Sequence, residues 1–200
     1  MSSSANPRTF RPRSARPGSA LTGLVAAALL LGTGTAGAAS YRIDPARTQI
    51  AFAIGAKGYP VTRGEFRRFT AKLAVDAAAP SRSHVAFDVA AASIDTHSPL
   101  LNDYVRAPGF LDTAHHPGIA FRSTSVRKVD EHTVELTGNL TLLGVTRPQS
   151  FRVTVTPADA AGYRLVAEGD IRRSDFGMTG GSPMVADIVT ITVSTVAVGE

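Results

Sequence analysis

From Tyr41 onward the apolar residues of this chain recur mainly at every second position, and that period restricts the fold more than any other feature of the sequence. Successive side chains of a strand point to opposite faces, so a period of two marks strands with one face buried, whereas a helix would repeat at three and four. Ile50, Phe52 and Ile54 share one face, and Val85, Phe87 and Val89 share another, with His84, Ala86 and Asp88 opposite. Val134, Leu136, Leu140 and Leu142 alternate across 131–143, and Phe151, Val153 and Val155 follow a Gly-Val-Thr-Arg-Pro turn. Segments 47–54, 64–75, 118–129, 163–172 and 185–198 bring the number of expected strands to about eight, separated by glycine and proline breakers. One segment departs from the pattern: Leu100, Leu101, Tyr104 and Val105 stand at helical spacing behind Ser98-Pro99, which suits a helix N-terminus. An all-β class follows, with an antiparallel barrel of about eight strands and a short helix as the expected architecture and an open sandwich as its competitor.

The barrel pattern begins only after a segment of a different kind. Arg8, Arg11, Arg13 and Arg16 come first with no acidic residue, then an apolar run from Leu21 to Leu31, then small residues from Gly32 to Ala39. This is the order of a secretory signal peptide, and the run is too short for the ~20 residues that span a bilayer. The expectation is a signal over 1–39 and one domain over 40–200, with Ala39 or Ser40 as the new N-terminus and a periplasmic or secreted location. Four of the 21 Lys and Arg lie in that signal, so 17 face 16 Asp and Glu in the mature domain. The near balance argues against nucleic acid as a partner. No cysteine is present, so neither disulfides nor thiolate metal sites are available, and about 160 residues must hold together by packing and strand pairing.

The polar residues offer little catalytic chemistry. His115 and His116 are adjacent, which in extended backbone sends them to opposite faces, and no histidine pair has metal-ligand spacing, so no metal is expected. Asp95, His97 and Ser98 contain the residue types of a hydrolase relay, but no G-x-S-x-G elbow accompanies them, and no phosphate-binding glycine loop occurs. No catalytic residue and no cofactor is expected. Arg67-Arg68 and Arg172-Arg173 are basic pairs in which one side chain should face solvent, and an inward arginine at a barrel mouth could hold a polar head group.

Several short motifs recur in a definite order: Tyr41-Arg42-Ile43-Asp44, Gly64-Glu65-Phe66-Arg67-Arg68-Phe69, Ile94-Asp95-Thr96 with Asn102-Asp103, and Gly109-Phe110-Leu111-Asp112 before His116-Pro117. Ala120-Phe121-Arg122-Ser123, the run from Leu136 to Leu142, Gly144-Val145-Thr146-Arg147-Pro148 and Arg173-Ser174-Asp175-Phe176-Gly177-Met178 complete the series. In this order and spacing the chain resembles the YceI-like family of exported lipid-binding proteins over nearly all of the expected mature domain. The resemblance implies an extended lipocalin-like antiparallel β-barrel around an elongated apolar pocket that takes a polyisoprenoid or quinone-like chain. It also implies a carrier or store of lipid, with transient membrane contact and homo-oligomer formation both left open. Two positions depart from the family pattern: Tyr104-Val105 stands where the family often has His-Leu, and Ala56-Lys57-Gly58 lacks an early histidine. The expected pocket residues are Phe52, Ile54, Phe66, Phe69, Phe87, Val89, Phe110, Phe121, Leu140, Leu142 and Phe176. The rival readings are a hydrolase or isomerase of an apolar substrate and a filled-barrel stress-response interaction protein.

Overall fold

The structure is a computed structural model and describes residues 41–76, 79–158 and 162–199. The expected signal segment therefore lies outside the described residues. Eleven strands form one antiparallel sheet: β1 Tyr41–Ile43, β2 Gln49–Ala56, β3 Tyr59–Phe66, β4 Phe69–Ala74, β5 His84–Ala90, β6 Ile94–Asp95, β7 Gly118–Lys128, β8 Thr133–Leu142, β9 Val145–Ala158, β10 Gly162–Arg172 and β11 Val185–Gly199. They are ordered β4-β5-β7-β8-β9-β10-β11-β2-β3-β6, with β1 also on β11. Most neighbours in this order are consecutive in the chain, as short hairpin connections dictate. The sheet curls strongly on itself, and β1 comes to lie beside β4. No strand ladder closes that seam among the described residues, so closure comes from curl and packing.

Two of the eleven strands, β1 and β6, are only three and two residues long, which is why the sequence pattern resolves about eight. The segment 64–75, expected as one strand, is two. β3 pairs with β2 and β6, β4 pairs with β5, and Arg67-Arg68 forms a corner between them. That corner is fixed by backbone demand: the Arg67 amide donates to Ser93 O, the Arg68 amide to Ser93 Oγ, and Arg68 O accepts from the Ala90 amide. Three backbone groups of the corner thus find partners at the end of β5 and on the segment that joins it to β6.

The antiparallel alternation gathers the connections at two ends. At one end lie the β2–β3 turn, residues 96–117, the β8–β9 turn and the β10–β11 connection; at the other lie the β4–β5 and β7–β8 connections together with β1 and the end of β11. The helix expected around Ser98–Ala107 is α1, Pro99–Arg106. Ser98 Oγ accepts from the Leu101 amide as its N-cap, Pro99 opens the first turn where a missing amide costs nothing, and Arg106 occupies the last turn. Asn102 Oδ1 accepts from the amide and hydroxyl of Thr96, and Arg106 Nη2 donates to Ile94 O, so α1 is moored to the β6 segment.

Candidate functional site: an elongated apolar cavity

The inward faces of the strands enclose a cavity of about 510 Å³, within the size range of small-molecule sites. Its wall follows the alternation read from the sequence: Val85, Phe87 and Val89 on β5, Leu136, Leu140 and Leu142 on β8, and Phe151, Val153 and Val155 on β9 all line it. Thr133 and Leu142, the first and last residues of β8, both contribute, so the cavity runs the length of that strand, roughly 30 Å at ~3.3 Å per residue.

The interior is hollow for a local steric reason. Three inward glycines, Gly64 on β3, Gly138 on β8 and Gly169 on β10, each leave room for an aromatic ring from the neighbouring strand. A Cβ on Gly64 would stand 2.7 Å from the Phe52 ring, on Gly138 2.5 Å from Phe121, and on Gly169 2.7 Å from Phe151. Each ring therefore lies along the wall over its neighbour's backbone instead of projecting across the lumen. Phe121 and Phe151 then meet edge to face at 5.4 Å, and Phe52 and Phe66 lie tilted at 6.0 Å, so that paired rings line the wall in two places.

Of the expected pocket residues, Phe52, Ile54, Phe66, Phe87, Val89, Phe110, Phe121, Leu140 and Leu142 lie on the cavity wall, and Phe69 and Phe176 do not. Phe69 sits opposite Val89 on β4 with its ring 6.5 Å from that of Phe87. Phe176 ends the turn after β10 and is buried in the side-chain cluster with Phe110, Leu111 and Met178. Sequence reasoning passed over the wall contributed by β10 and β11, where Leu165, Ala167, Ile171, Val189, Ile191 and Val193 line the cavity. Their two-residue spacing was the available signal.

The ends differ chemically. At the α1 end the cavity is bounded by Leu101, Tyr104, Val105, Phe110, Met178 and Arg173. The elements that meet at that end carry exposed apolar side chains: Tyr59, Val61, Leu100, Tyr104, Met184 and Ile188, with Leu100 83% exposed. The Lys57 amide donates to Met184 O, which ties the β2–β3 turn to the β10–β11 connection. At the opposite end the lining includes Asp76, Lys128, Asp130, Glu131 and His132. The Asp130 carboxyl is held below its ordinary range chiefly by the His132 amide, which donates to Oδ1 at 2.9 Å.

The polar clusters singled out in the sequence are engaged in turns. Asp95 Oδ1 accepts from the His97 amide at 2.8 Å and Oδ2 from Nε and Nη2 of Arg67; these bonds, the amide foremost, bring its pKa to about 2. Ser98 caps α1, so Asp95, His97 and Ser98 are not aligned as a relay. His115 Nδ1 lies 2.9 Å from Asp112 Oδ1, while the ring of His116 lies against Gly144. Among the described residues, no three His, Cys, Asp or Glu side chains converge as a metal site.

Comparison with known proteins finds the same curled antiparallel fold. Residues 41–197 match the model of the YceI-like domain. The chain belongs to the YceI-like family. A UPF0312 protein from Azotobacter vinelandii is 36% identical over 165 residues, covering 79% of this chain and 86% of the relative. Among solved YceI-like folds, the crystal structure of Burkholderia cenocepacia BcnA superposes with a TM-score of 0.72 at 25% identity, covering 78% of this chain and 99% of BcnA. A polyisoprenoid binding domain from Saccharophagus degradans, implicated in plant cell wall breakdown, superposes with a TM-score of 0.63 at 14% identity and covers 81% and 99% of the two chains. At that identity the likeness concerns the YceI-like fold alone.

Proposed function

We propose that this YceI-like protein is an exported, non-enzymatic carrier or store for an isoprenoid lipid, with the chain of the lipid lying along the cavity. The observation that carries the reading is the combination of an elongated shape, an aromatic and aliphatic wall, and glycines that keep the interior empty. The likeness to the polyisoprenoid binding domain of Saccharophagus degradans supports the same ligand class.

The energetics favour transport or storage. Burial of each isoprene unit away from water is worth roughly 3–4 kcal/mol at about 0.8 kcal/mol per carbon, so a free tail in water is strongly disfavoured. A bilayer is equally apolar, and exchange between bilayer and cavity is then nearly balanced, as a carrier requires. The exposed apolar side chains around the α1 end provide a surface for transient contact with a bilayer, next to Leu101 and Tyr104 of the cavity wall. Periplasmic or secreted location follows from the arginine-rich, apolar and small-residue order of 1–39.

The test is native purification of the exported protein followed by organic extraction and mass spectrometry. A prenyl lipid in near-stoichiometric amount is expected. Repeated recovery of protein free of lipid, with no uptake from prenyl-lipid vesicles, removes the carrier reading.

A further inference from the structure

We infer that Arg173 makes the α1 end of the cavity a receiving site for the oxygen head group of the lipid, a quinone carbonyl or a phosphate, so that the ligand lies head toward α1 and tail toward the β7–β8 turn. This orientation rests on the lipid-carrier reading and deepens it. The four-residue turn after β10 sends consecutive arginines to different environments. Arg172 is exposed and pairs with Asp187, whereas Arg173 is only 2% exposed and lines the cavity.

The surroundings of Arg173 are unusual for a buried charge. Nε donates to Ala186 O at 2.8 Å, Nη1 to Met178 O at 3.0 Å and Gly180 O at 2.7 Å, and Nη2 to Val185 O at 3.1 Å. Its guanidinium carbon lies 6.0 Å from the centre of the Phe110 ring. Four carbonyls satisfy four of the five N–H groups, but a carbonyl carries no net charge. No carboxylate pairs with Arg173 among the described residues: Asp187 is taken by Arg172 and by the amide and hydroxyl of Ser174. A buried cation is ordinarily paired, because removing it from water is costly. Here a full positive charge and one uncommitted Nη2 hydrogen remain at the end of an apolar lumen, where the low dielectric lengthens the reach of the charge.

An acceptor oxygen with high electron density suits that position, and charge-assisted hydrogen bonds to arginine are among the stronger ones. The far end of the cavity is mixed in charge: its lining holds Lys128 and His132 beside the carboxylates of Asp76, Asp130 and Glu131, and Asp76 is already paired with Arg82. Its one lysine therefore stands among acceptors that compete for it, whereas Arg173 has no carboxylate beside it among the described residues.

The experiment uses the full mature protein and three lipids with one prenyl chain length: a benzoquinone, a monophosphate and the headless hydrocarbon. Binding is read by competition in detergent, and a photoreactive group at the head is mapped by peptide mass spectrometry. The oxygen-headed lipids should bind at least about tenfold more tightly than the hydrocarbon, in keeping with a charge-assisted bond. A stronger preference for quinone identifies the carbonyl source, and one for the monophosphate the phosphate source. Crosslinks should fall on Tyr104, Phe110 or Met178. Arg173→Met should abolish the head-group preference while the hydrocarbon still binds, and Arg173→Lys should restore part of it. Arg173 also ties the β10–β11 connection together, so if Arg173→Met does not fold, the lipid series and the crosslinks on the parent protein decide. Equal affinity for all three lipids, or crosslinks to Thr133 or Tyr163, overturns the assignment; failure of every prenyl chain to bind removes the carrier reading itself.

Discussion

Replacing Phe87 with arginine, beside a control at Asp88, probes both faces of one strand. Phe87 lines the cavity and is half-buried, whereas Asp88 is exposed and ion-paired with Arg122. Truncating a fully buried phenylalanine costs about 3–5 kcal/mol. The Phe87 ring faces a hollow and an arginine keeps an aliphatic stem, so Phe87→Arg should lose roughly half of that, about 2 kcal/mol. For a domain of this size that is a fall in Tm of about 4–8 °C. Lipid binding should suffer far more: a prenyl tail entering the lumen strips water from a guanidinium with no partner, at several kcal/mol. About 4 kcal/mol corresponds to a 1000-fold loss of affinity. Asp88→Arg removes an ion pair between half-exposed side chains and brings like charges together, at about 1 kcal/mol, with lipid affinity changed by less than about twofold. Thermal melting and prenyl-lipid titration of both variants test these values. Retention of lipid by Phe87→Arg with loss in Asp88→Arg would reverse the assignment of faces. Outright unfolding of Phe87→Arg would refute the hollow, water-accessible lumen.

Three further outcomes are expected. Gly138→Ala places a methyl 2.5 Å from Arg122 O and the Phe121 ring, so it should destabilise by about 1–3 kcal/mol and push that ring into the lumen; unchanged melting and lipid capacity would contradict this. The lowered pKa of Asp95, about 2 against 3.8, means that its ionised form stabilises the fold fully above the unfolded value and loses this as pH falls toward the folded one. The Tm gap between parent and Asp95→Asn should therefore hold steady near neutrality and close between pH 3.8 and about 2, and a gap independent of pH across that window would refute the coupling. Intact mass of the exported product should place its N-terminus at Ala39 or Ser40, and retention of the Leu21–Leu31 run would rule out cleavage there.

What was readable in the sequence was local. The period of two placed Val85, Phe87 and Val89 on one face because neighbouring strand side chains must diverge, and the Ser98-Pro99 cap located α1 within a residue. The Arg67-Arg68 corner was not readable, since its partners Ser93 and Ala90 lie more than twenty residues away and only pairing across the seam requires a break there. Hollowness was hidden for a related reason. Gly64, Gly138 and Gly169 look like weak points in strands until the register sets an aromatic ring against each. The arginine pair at the end of β10 promised one inward side chain, but the identity of Arg173 depended on the turn that ends the alternation. Phe69 and Phe176 show the same limit, because correct hydrophobic character does not say whether a ring meets the lumen or another side chain.

The pairing of β1 with the end of β11, Tyr41 against Gly199 and Ile43 against Ala197, brings the first and last described strands side by side at the end remote from α1. A short linker from Gly199 to Tyr41 would thus bridge one strand spacing, and new termini could be cut at the Leu143-Gly144 turn without breaking a ladder. The same adjacency suits the domain to tethering: a surface or a fused partner attached beyond Gly199 would hold the molecule by its β1–β11 end and leave the α1 end facing outward.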